Sequence, residues 1–265
     1  MAPSFPQTNL EIENLNVQLG QRTVLNQISF EARPGEVVCI IGPNGSGKST
    51  LLRAICGLLR PQSGEIRFGG AILPTQAAAR AGIVAFLPQN PRGDEEISLE
   101  AMTMLGRTPH LSAYGAPSQR DFEAVENAIA GVAPDLRTRL LGQLSGGERQ
   151  RALLCRALAT LAPVLLLDEP VSALDVRYQH EILGLIRRLT RERNLVTLCV
   201  LHGINLASSI ADQMVLLGRD GRIVAAGTPE IVMTSEHLSG VYEAPLRVVA
   251  HPLSGKPVAQ SWWEF

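Results

Sequence analysis

Gly42-Pro43-Asn44-Gly45-Ser46-Gly47-Lys48-Ser49-Thr50 sets glycines, a lysine and paired hydroxyls in the spacing G-x-x-x-x-G-K-[ST]. Glycines let backbone N–H groups turn inward and approach phosphate oxygens without Cβ clashes. Lys48 is placed to reach β- and γ-phosphates, and the Ser49 hydroxyl to ligate Mg²⁺. A helix beginning here adds partial positive charge behind the phosphates. The expected ligand is a nucleoside triphosphate.

Two further groups carry chemistry. Val164-Leu165-Leu166-Leu167 ends in Asp168-Glu169-Pro170, a dry strand that delivers two carboxylates at its carboxyl end. Ligands of open α/β sheets bind at that edge. Asp168 there can hold Mg²⁺ indirectly, and Glu169 can orient and deprotonate a water. Leu144-Ser145-Gly146-Gly147-Glu148 precedes a helix whose apolar stripe includes Leu153, Leu154, Ala157, Leu158 and Leu161. Ser145 and Glu148 fit a capping box, and that alone explains them. Gly146 and Gly147 leave backbone donors uncovered at a positive helix end, which also suits a phosphate.

These residues need a frame. Glu36–Ile41 is short, apolar and β-branched, and reads as a buried parallel strand. Leu51, Leu52, Ile55, Leu58 and Leu59 follow at helical spacing, closed by Gly57 and Pro61. Residues 10–33 are β-rich, and short strands are expected at Glu65–Phe68 and Ile83–Leu87. From Asn90 to about Thr160 helical stretches such as Phe122–Ile129 replace strands, as an inserted helical block. Strand and helix then alternate through Val164–Leu167, Tyr178–Leu189 and Leu195–Leu201. Gln213–Leu217 and Arg222–Ala226 flank Gly218-Arg219-Asp220-Gly221 as a hairpin, and from Thr228 a short helix and irregular structure are expected. The alternation implies a largely parallel sheet with helices on its faces.

At 265 residues and 45% apolar content the chain can bury a large core. No apolar run reaches the roughly 20 residues that span a bilayer, and Met1–Asn9 lacks the features of a secretory signal. A formal net charge of −1 argues against a general nucleic-acid binder. Cys39, Cys56, Cys155 and Cys199 lie scattered in apolar segments, as core thiols. Trp262, Trp263 and Phe265 form an aromatic terminus, expected to be loose or docked on its own domain.

With its three motifs in this order, the chain resembles, over nearly its whole length, the ATP-binding subunit of ABC transporters. The resemblance implies an α/β fold. A P-loop NTPase core with a mixed, largely parallel sheet would occupy 1–89 and 161–227, with an N-terminal antiparallel β subdomain. A helical subdomain would be inserted at 90–160, and a tail would follow over 228–265. ATP and Mg²⁺ are the implied cofactors. Gln89 matches the glutamine at the core–helical boundary, a magnesium and water contact. Ser172-Ala173-Leu174-Asp175 matches the loop that crosses a dimer interface. His202 matches the switch histidine that contacts the γ-phosphate. Glu148 stands where many members carry Gln, and Gly203 where Asp is common. Leu19 stands where the family usually stacks an aromatic on adenine, so base stacking is expected to be weak.

The same resemblance implies a head-to-tail homodimer, each ATP lying between Gly42–Thr50 of one copy and Leu144–Gly147 of the other. The absence of a membrane span, a second phosphate loop or a long heptad region leaves an importer subunit. It would sit peripherally on the cytoplasmic face of the inner membrane, beneath a multi-span permease fed by a substrate-binding protein. Leu105–His110, Val200–Ala207, Val241–Glu243 and His251–Val258 resemble the importer group for ferric siderophores, haem and cobalamin. An iron chelate, a ferric siderophore, is the expected cargo, with haem or cobalamin as the alternative. The rival from another class is a soluble ATPase of the same type that clamps a non-transport partner. A non-hydrolysing binding module is disfavoured, since Lys48, Gln89, Asp168, Glu169 and His202 are all present.

Overall fold

A computed structural model describes residues 8–89, 95–111 and 115–261. In chain order the elements are β1 (Leu10–Leu19), β2 (Arg22–Ala32), β3 (Val37–Ile41), α1 (Lys48–Ile55), β4 (Ser63–Phe68), β5 (Ala71–Ile72), α2 (Ala77–Arg80) and β6 (Val84–Leu87). The helical block contributes α3 (Leu99–Met104), α4 (Gln119–Val132) and α5 (Gly146–Ala159). Then come β7 (Val164–Asp168), α6 (Val176–Glu192), β8 (Val196–Val200), α7 (Ile204–Ile210), β9 (Gln213–Leu217) and β10 (Ile223–Gly227). The chain closes with α8 (Pro229–Val232), α9 (Ser235–Tyr242), β11 (Leu246–Ala250) and β12 (Pro257–Ser261). The aromatic terminus Trp262, Trp263 and Phe265, and the start of the helical block at Asn90, lie outside the described residues.

The central sheet runs β10–β9–β3–β8–β7–β6. Its members are parallel except for β10, which pairs antiparallel with β9. Every residue of β3, β7 and β8 is buried. Alternate side chains of β3 enter two cores: Val37, Cys39 and Ile41 join one, Val38 and Ile40 the other. A strand covered on both faces must be apolar throughout, which is why these segments lack alternation. The first core receives Met102, Ile129, Leu154 and Leu158 of the helical block. The second receives Leu51, Leu52 and Ile55 of α1 together with the antiparallel sheet β2–β1–β4–β5. Burying each such Leu or Ile contributes about 1.5–3 kcal/mol, so α1 is fixed by its apolar face rather than by its eight-residue length.

Inside the helical block a buried ion pair joins segments that share no backbone pairing. Arg107 Nε meets Asp121 Oδ1 at 2.9 Å, and Arg107 Nη1 donates to the Ala159 carbonyl at 2.7 Å. Asp121 also accepts from the Ser118 hydroxyl and backbone N–H at the start of α4. The four cysteines are buried and free, as expected.

The tail corrects the expectation of irregular structure. It contains α8 and α9, followed by the antiparallel hairpin β11–β12. β12 docks on α7: Asn205 Nδ2 donates to the Ala259 carbonyl at 3.0 Å, and the Ala259 N–H donates back to Asn205 Oδ1 at 2.8 Å. Its strands are five residues each and punctuated by Pro252 and Pro257, which masked the pairing in the sequence.

Candidate active site

Four adjacent parallel strands, β3–β8–β7–β6, end on one edge of the central sheet. Each delivers one part of the site. The phosphate-type loop follows β3, His202 follows β8, Asp168 ends β7 with Glu169 after it, and Gln89 follows β6. Parts from different strands, 33 (Glu169 to His202) to 160 (Gly42 to His202) positions apart in the chain, thereby meet at the edge where α/β sheets bind ligands.

The loop needs its glycines. Gly42 has φ +148°, and a Cβ there would lie 2.5 Å from the Leu217 carbonyl oxygen. Gly47 has φ +98°, and its Cβ would meet a Leu25 methyl at 2.7 Å. α1 starts with no side-chain cap and no acid in its first turn, leaving its N–H groups for a bound anion. Lys48 is nearly buried; its Nζ donates to the Gly42 and Pro43 carbonyls at 2.8 and 2.9 Å. Burial pulls the Lys48 ammonium below its ordinary range, opposed by Glu169 and Asp168. The Ser46 hydroxyl is buried and has no hydrogen-bond partner among the described residues.

The acids form a second cluster. The Ser49 hydroxyl donates to Asp168 Oδ1 at 2.9 Å. Burial raises the Asp168 carboxyl above its usual range, against the pull of Ser49, Arg53 and Lys48. Glu169 accepts from the Gln89 amide on one oxygen and meets His202 Nε2 on the other. Its φ of +54° is unusual for a residue with a side chain. That backbone is held by its N–H on the Val200 carbonyl at 3.1 Å and by Ser172 on its own carbonyl. Strain of this kind collects where function needs it.

A cavity of about 470 Å³ joins the two clusters, within the range of small-molecule sites. Asn44, Gly45, Gly47, Lys48, Ser49, Thr50, Gln89, Glu169 and His202 line it. Leu19 lines it too, with Arg22 and Val24, which the sequence reading passed over. No motif marks them: Leu19 pairs with Arg22 across the Gly20-Gln21 turn, and Val24 lies two residues on, on the same face, a register that the structure supplies.

The Leu144–Glu148 segment stands apart from that cavity. Ser145 caps α5 and closes a capping box with Glu148, whose carboxyl is lowered by the Ser145 backbone N–H. The glycines differ in purpose. A Cβ on Gly147 would press into the Tyr178 ring at 2.8 Å, so that glycine serves packing. Gly146 borders a second cavity of about 350 Å³, which also reaches Gln89, Glu169 and Leu174. Asp175 lines neither cavity; its Oδ1 accepts from the Tyr178 N–H at 3.1 Å and caps α6.

The sequence profile described as ABC transporter matches residues 25–172. The hemin import ATP-binding protein HmuV of Pseudomonas entomophila is 42% identical over 94% of this chain and 98% of its own length. The cobalamin import ATP-binding protein BtuD of Halobacterium salinarum is 36% identical over 93% of this chain and 62% of its own. Among solved structures, an ABC transporter of metal-chelate type in an inward-facing conformation superposes with a TM-score of 0.84. It is 27% identical and covers 97% of this chain and 98% of its own.

Proposed function

This chain belongs to the ABC transporter family as one of its ATPase subunits, and from that premise we propose that it powers the import of an iron chelate through a membrane permease. The observation that carries the reading is the meeting of Lys48, Asp168, Glu169, Gln89 and His202 at one sheet edge, where all but Asp168 line one cavity and Asp168 is bonded to Ser49 of its lining. In this proposal Gly42–Thr50 and the start of α1 bind the triphosphate, with Lys48 turning from the loop carbonyls to the β- and γ-phosphates. Glu169 takes the proton of the attacking water, and Gln89 and His202 orient that carboxylate and sense the γ-phosphate.

The oxygens of Ser49, Asp168 and the Gln89 amide are hard donors that suit Mg²⁺; Ser49 is bonded to Asp168, and Ser49 and Gln89 line the same cavity, which supports a place for it there. Bound, the ion would neutralise charge on the phosphates. Ser145, Gly146 and Gly147 are assigned to the ATP of a second copy, with Asp175 supporting the interface loop. The division into a core of 1–89 and 161–227, a helical part of 90–160 and a tail of 228–265 belongs to the same proposal. Among the described residues no helix is long and apolar enough to cross a membrane, in keeping with a peripheral subunit on the cytoplasmic face, the permease supplying the pathway and a substrate-binding protein the cargo.

Haem is the iron chelate to test first, since a hemin import protein is the 42% relative; a ferric siderophore is the same chemical class, and cobalamin is the alternative. The test is uptake by the complex reconstituted with its permease, comparing labelled haem, ferric siderophore and cobalamin. ATP-dependent accumulation of one iron chelate supports the proposal. Cobalamin alone corrects the cargo. A stable ATPase complex with a soluble protein and no membrane component overturns transport.

A further inference from the structure

The cavity has two chemically different ends. One holds Lys48, Ser49 and Glu169, where phosphate and water chemistry belongs. The other is the tip of the β1–β2 hairpin, which contributes Leu19, Arg22 and Val24. A nucleotide with its phosphates at Lys48 extends its base toward that tip. Among the described residues no Phe, Tyr or Trp lines the cavity, and its imidazole, that of His202, follows β8 at the end near Glu169.

Arg22 is the one cation at the tip. Leu19 and Arg22 are the last register pair before the turn, so their side chains share a face, and Val24 continues it. Arg22 is exposed, and its side chain makes no ion pair or hydrogen bond among the described residues. Neighbouring arginines are engaged: Arg33, just past β2, meets Glu31, and Arg67 of β4 meets Glu65 and Glu13. A guanidinium is planar, delocalised and weakly hydrated, so it stacks on π faces where an ammonium does not match it. Every base offers such a face, and stacking on it is tolerant of base identity.

We propose that Arg22 stacks on the nucleotide base, replacing the missing aromatic ring, with Leu19 and Val24 as the apolar surface beside it. This rests on the reading of the cavity as an ATP site. Stacking on a face predicts little discrimination between adenine and guanine. Hydrogen bonding to the base edge would instead favour guanine, whose O6 and N7 accept from arginine in pairs.

The test is calorimetry on the full chain with ATP, GTP and inorganic tripolyphosphate. Arg22 is exposed at a hairpin tip, so its substitution leaves the fold intact, and a thermal melt checks this. Arg22→Ala is expected to weaken ATP and GTP alike, by about 2- to 5-fold as for an exposed cation–π contact, and to leave tripolyphosphate affinity unchanged. Arg22→Tyr should restore nucleotide affinity, and Arg22→Lys should restore less than Tyr. Unchanged nucleotide affinity in Arg22→Ala overturns the proposal. So does an equal loss for tripolyphosphate, which would make Arg22 a phosphate contact, or a loss confined to GTP. Failure of the unsubstituted chain to bind ATP, while tripolyphosphate still binds, would overturn the ATP reading and Arg22's role together.

Discussion

At the scale of single residues the site turns on Glu169, which is held in a left-handed backbone conformation with Gln89 and His202 on its two oxygens. Glu169→Gln keeps the shape and removes the proposed base. ATP binding should persist while hydrolysis falls by roughly 10²–10⁴-fold; near-normal turnover would take Glu169 out of the reaction. Lys48→Ala should fail earlier, at binding. Lys48 is also tied to the loop carbonyls, so the variant loses a loop clamp as well as a phosphate contact. Calorimetry paired with a melting curve separates the two, and unchanged ATP affinity would contradict the phosphate-loop assignment. Lys48, Asp168 and Glu169 were legible in the sequence because their motifs are local. Arg22 was not, since its place depends on a strand register that no motif encodes.

At the scale of elements, the strands that position the site were legible for a physical reason. Parallel strands buried on both faces are continuous apolar runs, and Val164–Leu167 and Leu195–Leu201 stand out as such. The tail hairpin was not, because five-residue strands between prolines carry little alternation. The helical block depends on a contact that sequence spacing does not reveal, the Arg107–Asp121 pair. The Ser118 hydroxyl beside Asp121, with Arg107 on its other side, holds that carboxyl well below the usual carboxylate range. A depressed folded-state pKa contributes stability that is present above the unfolded value, about 3.9 for Asp, and is lost as pH falls toward the folded one. The protein should therefore melt at progressively lower temperature below about pH 4, in part through Asp121. Asp121→Asn should lower Tm at neutral pH and flatten that acid limb. An acid limb as steep as in the unsubstituted chain would remove Asp121 from the account.

At the scale of the whole molecule, the Leu144–Glu148 segment raises the question of what its donors are for. Ser145, Gly146 and Gly147 do not line the cavity that holds the phosphate loop. Gly146 instead opens onto a second cavity, beside Gln89 and Glu169. In the proposed dimer these are two half-sites, bordering different cavities of one chain. Two copies placed head to tail would bring Asn44 of one against Gly146 of the other, completing two ATP sites. Each γ-phosphate would then draw in the helix start of the opposite copy, and its loss on hydrolysis would release the pair, as in other γ-phosphate switches. The test places new cysteines at Asn44 and Gly146, sparing the Ser145 hydroxyl. The native thiols can stay: all are buried, and burial raises the pKa of each, that of Cys155 to about 12. A direct disulfide requires Cα atoms within about 7 Å, so a short flexible thiol linker is the better reagent. With ATP bound and hydrolysis blocked by Glu169→Gln, a dimer band should appear on a denaturing gel, and it should weaken without nucleotide. Cross-links confined to single chains would overturn the head-to-tail arrangement, because they would require one chain to close its own two half-sites.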